Sequence, residues 1–166
     1  TMIKIGSFSE TPLIQEICSN GFKVIKIVEK NNQYVYIIGH IPPRSLNDWS
    51  VRFNALVERY SFIIRGQFYG HSHSDHIGFF PSFESKSKLT GFYLLPPSLT
   101  TYSDKNSNYR VMTVDYDSLQ VLDYDQYMYQ LIYLRLDLRK YQTKDQDAKY
   151  ELYYSFKDAY KLQDMM

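Results

Sequence analysis

A layered α/β domain is what this sequence predicts, and three patterns predict it. Short β-branched and aromatic runs, YVYII at 34–38 and QFY at 67–69 among them, read as strands. Between those runs, Trp49, Phe53, Leu56, Val57 and Tyr60 recur at three- and four-residue steps, the spacing of an amphipathic helix. Further strand-like runs follow to about residue 134, before a last helical pattern. Strand, helix, strand, several more strands and a helix is the order of a sheet covered by helices.

Taken in order, the elements are these. Leu13, Ile14 and Ile17 have helical spacing, and Asn20-Gly21 reads as a C-cap or turn that interrupts it. Residues 24–29 fit a second helix or a strand equally well. The run 34–38 is a strand, closed by Gly39-His40 and by the breaker Pro42-Pro43. Asp48 to Tyr60 is the amphipathic helix, with Asn47 or Asp48 as its cap. Gln67 to Tyr69 is a strand that runs directly into a pair of histidines. Ile77 to Phe83, Phe92 to Leu95 and Tyr109 to Asp115 are three more strands, and the tyrosine-rich residues 118–134 continue the sheet. Leu152, Phe156 and Tyr160 recur every four residues within Ala148 to Leu162, which predicts a final helix. No repeat, charge block or low-complexity linker interrupts the chain.

Composition narrows the function. At 166 residues the chain fits one domain with a respectable core. Lysine plus arginine (19) nearly balances aspartate plus glutamate (18), so net charge gives no argument for binding to nucleic acid or to an anionic membrane. A single cysteine, Cys18, forms no internal disulfide, and no Asn-x-Ser/Thr sequon occurs. Nothing resembles a signal peptide or a transmembrane segment, because the longest apolar runs are strand-sized. The chain begins Thr1-Met2, so missing targeting signals carry no weight and the compartment stays open.

Chemistry is expected where strands end, since open α/β sheets place their sites at the carboxyl ends of strands. Gly39-His40 and Gly70-His71 both stand there. If residues 70–73 stay extended, His71 and His73 project to one side, because strand side chains repeat every two residues. They can then meet one metal ion or two adjacent ones; imidazole nitrogen suits zinc, iron and manganese. A glycine before His40 and before His71 lets the backbone approach closely.

Motifs in order carry a resemblance. YVYIIGHIPPRSLNDWS (34–50), GQFYGHSHSDHIGFF (66–80) and PSLTTY (97–102) resemble the calcineurin-like metallophosphoesterases. They are most similar to acid sphingomyelinase and the acid-sphingomyelinase-like phosphodiesterases, as are NYRV (108–111) and the tail YYSFKDAYKL (153–162). The likeness covers residues 34–163. Residues 1–33 match poorly and read as helical, 34–135 match the C-terminal half of the metallophosphoesterase domain, and 136–166 its C-terminal helical region. The fold implied is the C-terminal half of a β-sandwich flanked by helices. The resemblance also implies two ions, usually zinc, with His40 and His71 on one and His73 on the other. A bridging hydroxide would attack the phosphodiester.

Residues around these histidines take roles by the same resemblance. Asp75 is either a group that orients a histidine or a solvated turn aspartate. Tyr102 either faces the substrate groove or packs. Trp49 belongs to the core or the groove wall, and His76 to the surface.

Departures from the family matter equally. Its upstream ligand motifs, Asp-x-His, Gly-Asp and Gly-Asn-His, are absent, so a dinuclear site does not form from this chain alone. Arg44 replaces a family glycine, Ser107-Asn108 a Pro-Gly-like turn, and the family's disulfide cysteines are missing. Relatives are lysosomal or secreted, which the single cysteine and missing sequons do not support. Three readings remain open. One is the C-terminal part of a phosphodiesterase that needs its missing N-terminal half. Another is a degenerate member serving as a structural or interaction subunit of a larger assembly. The third is a stand-alone metal-binding module.

Overall fold

The structure, a computed structural model, describes residues 2–4, 12–43, 48–102, 105–129 and 149–163. It is mixed α/β, as the sequence predicts, with its strands in two sheets. The chain divides into two compact units, Thr1–Leu95 and Pro96–Met166.

In the first unit, β1 (Met2–Lys4), α1 (Pro12–Lys30), β2 (Val35–Ile38), α2 (Asp48–Arg59), β3 (Ile64–Phe68), β4 (His76–Pro81) and β5 (Leu89–Leu95) follow in sequence. The sheet runs β1-β2-β3-β5-β4. Neighbours are parallel up to β5, and β4 closes the edge antiparallel to it. The carboxyl ends of β2 and β3 therefore lie side by side, and both precede a Gly-His step. β1 has no counterpart in the sequence reading, because three residues carry too little periodicity to register.

Helix α1 corrects the expected interruption. It runs unbroken through Asn20-Gly21, and residues 24–29 are helix. A glycine inside a helix costs about 1 kcal/mol relative to alanine. Ile25 and Val28 more than offset that by burying against Val35, Tyr60 and Ile63. Helix α2 starts at Asp48 and ends at Arg59, charges that suit the two ends of its dipole. Its Phe53 and Val57 pack with Ile37, Tyr69, Phe80 and Leu95. Trp49 belongs to this core, stacked on Phe53 with ring centroids 5.1 Å apart.

In the second unit, β6 (Ser107–Val114), β7 (Val121–Tyr129) and β8 (Glu151–Ser155) form an antiparallel sheet, followed by α3 (Phe156–Tyr160). Tyrosine makes cross-strand pairs, as β-prone aromatics do. Tyr109 and Tyr127 stack at 4.9 Å, and buried Tyr124 stacks on Phe156 at 4.8 Å. The helix expected over Ala148 to Leu162 is present only at 156–160, with a strand in front of it. Leu152 pairs with Tyr127 across the ladder, so its four-residue spacing to Phe156 is coincidental. Ser107 and Asn108, which stand in place of the family's Pro-Gly-like turn, open β6 and are buried. Residues 130–134, Arg44 and Asn47 lie outside the described residues. Among the described residues no helix is long and apolar enough to cross a membrane.

Candidate functional site

Two backbone hydrogen bonds bring the Gly-His steps together. Gly39 N–H donates to the Phe68 carbonyl at 2.9 Å, and Gly70 N–H donates to the His40 carbonyl at 2.8 Å. Tyr69 N–H donates the other way, to Leu94 on β5, at 2.9 Å. The end of β3 is thus laced alternately to β2 and β5, and His71 leaves it from a fixed point. Beneath it, the Tyr69 side chain is 4% exposed and donates its hydroxyl to Gln67 Oε1 at 3.1 Å. Burial pushes that phenol far above its ordinary pKa, with Tyr93 adding to the shift, so Tyr69 stays neutral and anchors rather than reacts.

Beyond Gly70 the chain leaves the extended region. His71 has φ 73° and His73 φ 54°, both in the left-handed region that non-glycine residues seldom adopt. Ser72 N–H reaches back to the Gly70 carbonyl at 2.9 Å, a tight turn centred on His71. Extended backbone with both imidazoles on one side was expected here; the turn replaces it. The His71 ring instead meets His40 edge to face, with centroids 5.3 Å apart and planes at 79°. A methyl group at Gly70 would lie 3.7 Å from both the His40 Nδ1 and its carbonyl, an ordinary contact. The glycine there is therefore not demanded by close approach. Histidine is among the non-glycine residues enriched at positive φ, yet only a small share adopt it, so residue type alone did not announce the turn.

Other candidates divide by position. His40 and His71 are exposed beyond the carboxyl ends of β2 and β3, and His73 is half-buried in the loop that carries His71. Asp75 is exposed between His73 and β4, and His76, the first residue of β4, is exposed as expected. Tyr102 is 73% exposed and belongs to the second unit. Two imidazoles are thus gathered at one point. Among the described residues no three histidine, cysteine or acidic side chains form a group that would hold a metal ion. Two imidazoles such as His40 and His71 suit a borderline cation such as zinc by donor type, but two donors are fewer than a closed site needs.

No protein-family profile matches the chain. Individual relatives do. The chain is 31% identical over 142 residues to sphingomyelin phosphodiesterase A of Dictyostelium discoideum, a match covering 82% of this chain and 23% of that protein. It is 38% identical over 112 residues to the sphingomyelin phosphodiesterase of Bos taurus, covering 64% and 18% respectively. A cyclic GMP-AMP phosphodiesterase of Bos taurus is 27% identical over 157 residues, covering 85% and 33%. The chain therefore spans less than a quarter of the sphingomyelin phosphodiesterases it matches.

Proposed function

Because this chain is a homologue of the sphingomyelin phosphodiesterases over part of their length, we propose that it is the C-terminal, histidine-bearing part of a metal-dependent phosphodiesterase. The substrate class would be a phosphodiester, a sphingomyelin-like lipid or a nucleotide. One observation carries the reading: the imidazoles of His40 and His71 converge at the carboxyl ends of adjacent parallel strands. That is where α/β sheets build their sites.

The chain's own residues would work as follows. His40 and His71 would present their imidazoles to one cation, and His73, two residues on, would serve a neighbouring position. The Gly70–His40 backbone bond holds the two presenting loops in register, so neither imidazole must be ordered when the site assembles. Buried Tyr69 and its bond to Gln67 keep the end of β3 from shifting. His40 and His71 would hold a divalent cation that, when bound, would supply a Lewis acid and an acidified water. The remaining ligands would come from the region that precedes this chain's match in the relatives.

Joining the chain to the preceding region of a sphingomyelin phosphodiesterase tests this. Metal-dependent hydrolysis of a bis-aryl phosphodiester is expected, and a fully active His71→Ala variant would rule the reading out. A second reading, a non-catalytic structural subunit, is favoured by the family's disulfide cysteines being absent within the matched stretch. It predicts no turnover from any completed form.

A further inference from the structure

The last three turns of α1 are sharply two-sided. Ile25 and Val28 are buried in the core, while Lys23, Lys26, Ile27 and Lys30 are exposed. At about 100° per residue, these four occupy a single outward arc. Ile27 is 58% exposed in the middle of it. The only acidic residue in this stretch, Glu29, lies off the arc and is neutralised by Arg59, Oε1 to guanidinium 3.2 Å. A chain of net charge +1 thus concentrates positive charge on one helix face.

We infer that this arc of α1 docks on an anionic lipid surface. The inference rests on the reading above, that the substrate is a phosphodiester presented by lipid. Charge complementarity selects the partner: three lysines with no acid among them meet acidic headgroups. Their aliphatic stems, with Ile27 between, fit the boundary of headgroup and acyl chain. Nucleic acid fits less well, since the arc offers no arginine fork and the flanking Phe22 ring is half-buried and covered by Lys26, 4.4 Å from its centroid.

Flotation of the whole chain with vesicles tests it. Binding is expected to phosphatidylcholine vesicles containing about 30% phosphatidylserine and not to phosphatidylcholine alone, with loss in high salt. The variant Lys23→Gln/Lys26→Gln/Lys30→Gln should lose about a hundred-fold in affinity, roughly five-fold per lysine. The corresponding triple Lys→Arg variant should bind as wild type, which separates charge from folding. No binding by the wild type, equal binding by the glutamine variant, or tighter binding to an RNA oligonucleotide than to the vesicles would overturn the inference. His71→Ala is expected to float as wild type does. Should vesicle binding fail while the joined protein hydrolyses a soluble phosphodiester, the docking idea falls alone. The opposite pair of results removes the catalytic reading and leaves the docking one.

Discussion

His40 and His71 stand 5.3 Å apart edge to face, although 31 positions separate them in the chain (71 − 40). The β2–β3 pairing makes that contact, and it carries the first prediction. Replacing either with alanine should lower metal-dependent turnover of the completed protein by at least about a thousand-fold. Both side chains are exposed, so thermal stability should move by less than about 0.5 kcal/mol. Paired kinetics and calorimetry check this, and a large loss of stability would instead make the pair structural.

Strain gives a second prediction. At φ 73° and 54°, His71 and His73 hold conformations that glycine adopts freely. His73→Gly should raise stability by about 0.5–1 kcal/mol while lowering activity. Urea titration beside a turnover assay reads both. A destabilised variant would show that the His73 side chain supports the fold.

Two glycines should answer alanine with opposite signs. A Cβ at Gly78 would meet the Tyr93 ring at 2.0 Å, and that ring packs on Tyr69 and Phe80 at 5.6 and 5.3 Å. Gly78→Ala must displace it and should cost about 1–3 kcal/mol. Gly21, in mid-helix with nothing within 4 Å, should gain up to about 1 kcal/mol as alanine. Chemical denaturation of both variants decides.

Glu58 supplies a pH dependence. Its carboxylate accepts the Ser82 hydroxyl at 2.5 Å and the Phe83 N–H at 3.0 Å, tying the β4–β5 hairpin to α2. Those hydrogen bonds, first Ser82 and then Phe83, hold its pKa below the ordinary glutamate value. A depressed native pKa gives stability that is full above the unfolded value and lost as pH falls through the native one. Stability of the wild type should therefore drop more steeply below about pH 4.5 than that of Glu58→Gln, as urea midpoints across pH would show. Parallel slopes would remove the tie.

Much of this was legible in the chain itself. The strands at 34–38, 77–83, 92–95 and 109–115 and the helix from Asp48 are local in origin. Alternation and three-to-four periodicity act within a few residues, and the sheet preserves them. The family resemblance was legible too, since motifs survive as strings. Misreadings arose where local and distant forces disagreed. Asn20-Gly21 signals a stop, yet core packing of Ile25 and Val28 carries α1 past it. Residues 151–155 have helical spacing, yet hydrogen bonds from β7 make them a strand.

By itself, then, the sequence determined which residue types stand at the ends of which strands: glycine and histidine after β2, and again after β3. Only the tertiary structure decided which imidazoles meet. Parallel pairing of β2 with β3 sets the Gly70–His40 bond, and the left-handed turn at His71 aims its ring at His40. Neither is written in residue spacing, because sheet register is fixed by contacts between distant segments and positive φ by the closure of a loop.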